Sequence, residues 1–141
     1  MANIVYNAGK KYLLNGAVDC DTDTINVMLV TSSYTPDQDT HAYRSDVTNE
    51  VSGAGYSTGG AALVNKSITQ DNTNNKAYLD ANDLTWTTST ITARAAVIYK
   101  ARGGLASADE LLGYVDFGSD KSSSSGDFTI QWAATGILEI A

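Results

Sequence analysis

The chain has very few of the residues that brace small folds or build catalytic and metal sites. Cysteine, proline and histidine each occur once in 141 residues, as Cys20, Pro36 and His41. A single cysteine excludes an intramolecular disulfide framework, and one cysteine with one histidine cannot form a zinc site of the usual composition. We expect Cys20 to be an unreactive thiol and His41 to be a surface or hydrogen-bonding residue. The sequence therefore predicts a protein that is not an enzyme and has no cofactor or metal.

Basic residues and long apolar runs are also scarce. Only 9 Lys and Arg are present against 16 Asp and Glu, which gives a formal net charge of -7 and a pI near 4.4. A protein that follows a phosphate backbone needs a positive stripe, so we expect no nucleic-acid partner. No apolar run approaches the ~20 residues of a membrane span, and Lys10 and Lys11 interrupt the N-terminal apolar stretch. We expect no membrane partner, no signal peptide and synthesis in a cytoplasm.

The residues that are abundant are typical of β structure. Thr, Ser and Asn together make up 39 residues; Thr suits strands with one wetted face, and Ser and Asn suit turns. Apolar residues occupy both faces of residues 24–31, so we expect this strand in the middle of the structure. Residues 91–99 alternate strictly, which predicts a strand with one buried face. Further strands are predicted at residues 62–69, 76–80, 84–87, 111–117 and 128–132, and through Leu138 and Ile140.

These patterns predict a mainly β fold in a single domain over residues 1–141. Roughly eight strands, with turn signals about every 8–12 residues, are typical of an antiparallel β-sandwich, here jelly-roll-like. Residues 1–16 are predicted to form a short N-terminal helix or arm. Ile4, Ala8 and Tyr12 fall four apart on one helical face, and Gly16 can end the helix.

Residues 32–60 form a long polar region without clear periodicity. Such a region is unusual inside a compact domain and is often functional, so we expect it to contact neighbouring subunits. Tyr34, Tyr43 and Tyr56 lie in it, and tyrosine is favoured at protein interfaces. The alternative, equally compatible with the sequence, is that these tyrosines cap the ends of the sandwich core.

Two short patterns invite a ligand-binding interpretation. Residues 53–60 are glycine-rich, but the spacing of a dinucleotide fingerprint fails at Thr58. Asp19, Asp21 and Asp23 alternate like the start of a calcium loop, but the later glycine and glutamate of that loop are missing. We expect a solvated acidic turn, and weak binding of a cation there stays open.

The order of several segments resembles a family of small structural proteins of tailed bacteriophages and prophages. No single segment is diagnostic, but their order and spacing together are fairly specific. They cover residues 1–3, 13–16, 23–30, 34–37, 41–47, 51–56, 80–86, 96–100 and 126–132. After Lys100 the chain departs from the pattern, because Ala101 and Arg102 replace the more usual acidic and hydroxyl residues.

The resemblance implies a virion structural protein, and similar members are capsid cement (decoration) proteins with a jelly-roll-like fold. Such a protein would bind the outer surface of an assembled capsid and bridge neighbouring major capsid subunits, as a homodimer or homotrimer on a local symmetry axis. It would be located on the capsid exterior of the virion. The N-terminal arm and the tyrosine-bearing loops are the predicted contacts. The candidate interface residues are Asn3, Ile4, Val5, Tyr6, Tyr34, Tyr43, Arg44 and Tyr56.

Two other functions remain open at this stage. The protein could instead be a tail or head–tail joining component of the virion. A carbohydrate-binding module would use Trp86 or Trp132 as a platform for a sugar ring. Both tryptophans lie in strand patterns, so we expect them to be core residues.

Overall fold

The computed structural model describes residues 3–141 and confirms a mainly β fold with antiparallel sheets. Its strands and single α-helix are β1 (Ile4–Val5), α1 (Asn7–Leu14), β2 (Ile25–Val30), β3 (Ala61–Ala62), β4 (Ser67–Asp71), β5 (Lys76–Asp80), β6 (Leu84–Ser89), β7 (Thr92–Lys100), β8 (Leu111–Ser122), β9 (Gly126–Ile130) and β10 (Leu138–Ile140). Two short 3-10 turns, Arg44–Asp46 and Ala106–Ala108, lie in the loops. In the described part of the chain no helix is long and apolar enough to cross a bilayer.

One long antiparallel ribbon organises the second half of the chain. Strand β7 pairs with β8, β6 with β9, and β5 with β10, with Val97 opposite Tyr114, Trp86 opposite Phe128 and Leu79 opposite Leu138. The two arms of the ribbon are therefore residues 76–100 and 111–140. Because the arms are consecutive in sequence, this pairing follows directly from the alternating apolar pattern and the connecting turns.

The ribbon folds over at a corner between β6 and β7. Thr88 and Ser125 have positive φ angles of 50° and 47°, an unusual conformation for residues with a side chain. The buried Ser89 hydroxyl lies 2.7 Å from Ser123 Oγ and 3.0 Å from the Gly126 carbonyl oxygen. These contacts link the two arms at the bend. At this corner the chain turns, so that β6 and β9 pack against the sheet that contains β7 and β8.

The strands form three sheets. The largest has the order β1-β8-β7-β2-β3, the second has the order β10-β5-β4, and β6 pairs with β9 alone. Strand β2 pairs with β7 on one side and with β3 on the other. The predicted central position of β2 is therefore confirmed.

The largest sheet is buried on both faces. One face packs against the two smaller sheets in what we call the inter-sheet core. Its buried residues include Ile25, Val27, Leu29, Ala93, Ile98 and Leu112 from the large sheet, and Leu79, Leu84, Trp86, Phe128, Ile130 and Leu138 from the smaller sheets.

The opposite face of the large sheet forms a second cluster, which we call the loop-covered core. It consists of Tyr6, Met28, Val30, Tyr34, Ala95, Val97, Tyr99, Leu111 and Tyr114. Residues 32–60 contain no long strand, as expected, and Tyr34 and Val47 of this region pack on the face.

The expected single buried face of residues 91–99 is wrong. Ala93 and Ile98 belong to the inter-sheet core, whereas Ala95, Val97 and Tyr99 belong to the loop-covered core. A register shift between Ala93 and Ala95 transfers the alternation from one face to the other.

The N-terminus differs from the predicted helix or arm in detail. Ile4 and Val5 form a strand that pairs with β8, and α1 begins only at Asn7. Gly9 lets α1 lie close to the sheet, since a Cβ there would be 2.7 Å from the Leu112 carbonyl oxygen. A second difference is at residues 119–126, where β8 continues to Ser122 instead of ending at Phe117.

Candidate functional site

Two of the predicted interface tyrosines are core residues. Tyr6 is fully buried and Tyr34 is 4% exposed, so neither side chain offers a contact surface. The Tyr6 and Tyr34 hydroxyls lie 2.8 Å apart, and the Tyr34 hydroxyl lies 2.9 Å from His41 Nδ1. Burial raises the pKa of Tyr34 to about 12 and also raises the pKa of Tyr6. The phenols therefore stay neutral and join the N-terminal strand to residues 32–60.

Tyr56 is also mainly a structural residue. Its hydroxyl donates to Glu50 Oε2 at 2.6 Å and accepts from the Leu29 backbone N–H at 2.9 Å. Its ring centroid lies 5.9 Å from that of Trp86, beside the inter-sheet core. For Tyr34 and Tyr56, the capping alternative describes the structure better than the interface prediction does.

Tyr43 and Arg44 lie at an end of the molecule that we call the ion-paired end, formed by residues 42–46 and 101–110. Arg44 Nε is 2.8 Å from Asp109 Oδ2, and its guanidinium lies 5.3 Å from the centre of the Tyr99 ring. Tyr43 pairs with Glu110 through a backbone bridge and keeps 37% of its surface exposed. The two loops are therefore joined by backbone hydrogen bonds and by an ion pair.

Arg102 completes the ion-paired end. Its Nε and Nη2 atoms each donate at 2.6 Å to one oxygen of the Glu110 carboxylate. These bonds lower the pKa of Glu110. Next to Arg102, the glycine-flanked Leu105 is 76% exposed. The Arg102–Glu110 pair thus joins the two ends of a loop that presents an aliphatic side chain to solvent.

The first predicted contact residues, Asn3 to Val5, lie at the edge of the large sheet. The Asn3 side-chain oxygen accepts from the Asp116 backbone N–H at 3.1 Å. Ile4 packs partly against the loop-covered core, and Val5 packs partly against the inter-sheet core. Val5 also borders a groove that the sequence analysis did not anticipate.

That groove, which we call the α1 groove, runs between helix α1 and the sheet of β10, β5 and β4. It has two adjoining sections of about 440 Å³ and about 410 Å³. Its largest exposed side chains are Leu14 at 90%, Ile68 at 50% and Ile140 at 54%. Cys20 lines the groove, where burial raises the pKa of its thiol to about 11. The sequence could have indicated that Leu14 is exposed, because Leu14 does not lie on the helical face shared by Ile4, Ala8 and Tyr12.

The acidic turn before β2 uses its carboxylates internally. Asp19 Oδ1 accepts from the Asp21 backbone N–H at 3.0 Å, and Asp23 Oδ2 accepts from the Asp19 backbone N–H at 2.8 Å. Asp23 also pairs with Lys100 Nζ at 2.8 Å, which lowers the pKa of its carboxyl. Within residues 3–141, no group of three His, Cys, Asp or Glu side chains is placed to hold a metal ion.

The two tryptophans differ in burial. Trp86 is 6% exposed and packs edge-on against Phe128, as expected for a core residue. Trp132 follows the end of β9, is half-buried, and donates its indole N–H to the Asn82 carbonyl oxygen at 3.1 Å. It lines an open cleft of about 580 Å³ between β8 and β9. The expectation of a strand residue in the core is therefore wrong for Trp132.

Comparisons of the chain with known protein families, with curated proteins and with solved structures found no match.

Proposed function

We propose that this protein is a capsid cement protein, which binds the outside of an assembled phage shell and bridges neighbouring major capsid subunits. The segment order that resembles phage structural proteins points to this class. The observation that carries the proposal is the ion-paired end, where Tyr43 and Leu105 are exposed on loops held by Arg44–Asp109 and Arg102–Glu110.

The construction of this end suits protein binding. Exposed apolar side chains on ordered loops bury area without a large loss of conformational entropy on binding. The flanking ion pairs keep the loops in place, because each arginine is paired on a carboxylate that is itself almost buried. The end can therefore dock as a rigid body on a lattice of repeated subunits.

Binding of this kind stabilises a shell by mass action. A protein that binds only the assembled lattice adds about 2.7 kcal/mol per site at a hundredfold excess over its dissociation constant. An oligomer adds avidity, since each protomer after the first docks at a high effective concentration. A homodimer or homotrimer on a local symmetry axis would thus resist the outward pressure of packaged DNA.

Co-sedimentation with particles tests the proposal. The purified protein is mixed with empty shells of the major capsid protein encoded in the same phage genome. We expect wild-type protein to pellet with the shells, and Leu105→Asp to raise the dissociation constant about tenfold or more, because a charge would be desolvated at the contact. Val64→Asp is the matched control, since Val64 is also exposed, at 54%, and lies outside the ion-paired end.

Imaging of particles separates the head from the tail. Gold-labelled protein over the head in mature particles supports the cement function. Label confined to the tail, or to the junction between head and tail, overturns it in favour of a tail or head–tail joining component. Failure of the wild-type protein to bind either part contradicts a role in the virion.

A carbohydrate-binding function has one observation in its favour. Trp132 lines the cleft between β8 and β9 together with polar residues such as Asp127 and Gln131. A half-exposed aromatic ring beside polar groups suits the apolar face of a sugar. Reproducible glycan-array signals that disappear in Trp132→Ala would establish this function, and an array without signals would remove it.

A further inference from the structure

Several large aliphatic side chains along the α1 groove are exposed to solvent. Leu14 at the end of α1 is 90% exposed, and Ile140 on β10 is 54% exposed at the boundary of the two sections. Strand β10 pairs only with β5, so its outer edge has no strand partner in the described structure. Contiguous exposed aliphatic residues of this kind mark interaction surfaces.

Unpaired charges of opposite sign lie at different parts of this groove. Lys10 lines the section that contains Leu14, and Asp21 lines the section that contains Cys20. Glu139 lines both sections, but its carboxylate is paired with Lys76. Among the ion pairs of residues 3–141, the cations are Arg44, Lys76, Arg94, Lys100 and Arg102. The Lys10 ammonium makes only a long contact of 3.4 Å with Asn7 Oδ1.

We propose that the α1 groove is the surface through which two copies of this chain form a two-fold symmetric dimer. In such an isologous contact, each surface element meets a different element of the same patch on the other copy. In the dimer that we propose, a two-fold rotation about the middle of the groove brings Lys10 of one copy opposite Asp21 of the other. Leu14 of each copy then covers the apolar wall of its neighbour.

Charge complementarity favours a second copy over other occupants. The chain has a net charge of -7, so random contacts between copies are repulsive. At the α1 groove each copy offers the Lys10 ammonium, which has no ion-pair partner among residues 3–141, for the Asp21 carboxylate of the other copy. The same pairing fixes the orientation of the dimer. If the two grooves packed in the same direction, Lys10 would face Lys10 and Asp21 would face Asp21 across the contact.

This inference deepens the proposed function, because a dimer would supply the avidity of a cement protein, but its test requires no capsid. Sedimentation velocity over a range of concentrations measures the dissociation constant of the wild-type dimer. We expect Leu14→Asp to raise it about tenfold or more while the far-ultraviolet circular dichroism stays unchanged. Leu105→Asp introduces the same charge at an exposed leucine of the ion-paired end, and this variant should dimerise like the wild type.

A charge-reversal pair tests the geometry. Lys10→Glu and Asp21→Lys should each weaken their own homodimer, because each places like charges across the two-fold axis. An equimolar mixture of the two variants should dimerise like the wild type, since both contacts become attractive in the heterodimer. Asp21 is suited to this test because its side chain makes no hydrogen bond that holds the acidic turn, which Asp19 and Asp23 close.

Three outcomes would overturn the inference. The first is a wild-type protein that stays monomeric at every concentration. The second is a trimer, which a two-fold contact cannot produce. The third is a dimer that Leu14→Asp and the charge reversals leave intact. Loss of shell binding by Leu14→Asp in a monomeric wild type would assign the groove to the capsid, leaving the proposed function standing and the dimer refuted.

Discussion

The two cores on either side of the large sheet are built differently. The inter-sheet core lies between sheets and is filled mainly by aliphatic residues, with Trp86 and Phe128 and a single buried tyrosine, Tyr12. The loop-covered core lies beneath irregular backbone and contains four buried tyrosines, Tyr6, Tyr34, Tyr99 and Tyr114. The strands of the first cover pair with one another in regular ladders, whereas the second cover is irregular and is fixed by scattered backbone bonds together with side-chain hydrogen bonds.

This difference teaches why tyrosines cluster beneath a cover that contains no long strand. Such a cover has no ladder to fix its own backbone, so side-chain hydroxyls take over part of that task. The Tyr99 hydroxyl donates to the Gly59 carbonyl oxygen at 2.5 Å, and the Tyr34 hydroxyl reaches both Tyr6 and His41. A buried hydroxyl with a partner costs little, whereas one without a partner is destabilising.

The largest effect is expected in the inter-sheet core. Trp86→Ala removes a buried ring that contacts both Phe128 and Tyr56, and the rigid sheets cannot close the cavity. We expect the free energy of unfolding to fall by about 3–5 kcal/mol, measured by urea denaturation. Trp132→Ala is the matched control and should cost clearly less, because Trp132 is only half-buried. Equal losses would show that the depth of burial in the inter-sheet core does not set the cost of removing a tryptophan ring.

A smaller effect is expected for the hydroxyls of the loop-covered core. Tyr34→Phe leaves the buried Tyr6 hydroxyl without its hydrogen-bond partner and should cost about 1–3 kcal/mol in unfolding free energy. Tyr6→Phe leaves Tyr34 bonded to His41 and should cost about 0.5–1.5 kcal/mol.

The double variant completes the cycle. Once Tyr34 has been changed, removing the Tyr6 hydroxyl should cost little more, so the two losses should not add. Additive losses in urea denaturation would contradict a hydrogen-bonded chain across this core.

The smallest effect concerns the ion pairs that close the loop-covered core at one end. Hydrogen bonds from Arg102 lower the pKa of Glu110, so this pair adds stability above the pKa of the unfolded state, about 4.3. That contribution is lost as the pH falls through the folded-state pKa. Near neutral pH, Arg102→Met should therefore cost less than any of the preceding variants, since Arg102 is half exposed, and it should cost nothing in acid.

Unfolding curves at several pH values measure whether the unfolding free energies of Arg102→Met and the wild type converge as the pH falls. Lys121→Met, which removes a cation that pairs with no residue in the described structure, should instead run parallel to the wild type across the same range. A loss in Arg102→Met that persists at low pH would show that the side chain acts through packing and not through charge.

Much of the fold could be predicted because its signals are local. The two-faced apolar pattern of β2 located the central strand, and β5 was predicted with the bounds that the structure has, Lys76–Asp80. By contrast, the buried side chains of β7 change from one face of the sheet to the other at a bulge, and no residue type in the sequence predicts that bulge.

The candidate site was predicted less well. Tyr43 is exposed and Val5 and Arg44 are partly buried, whereas Tyr6 and Tyr34 are buried. Tyrosine has a large apolar ring and one polar atom, and so suits both an interface and a core in which its hydroxyl finds a partner. The sequence pattern is the same in both cases.

The amino-acid sequence by itself determined the β class, the two-faced strand β2, the positions of most other strands and the scarcity of chemical groups. These depend on side-chain alternation and turn chemistry, which act between neighbouring residues. Only the tertiary structure decided which tyrosines are covered, which ion pairs close the end of the molecule, and that Leu14 and Ile140 flank one groove. Those features join residues far apart in the chain, and burial is a property of what the folded chain places on top of a residue.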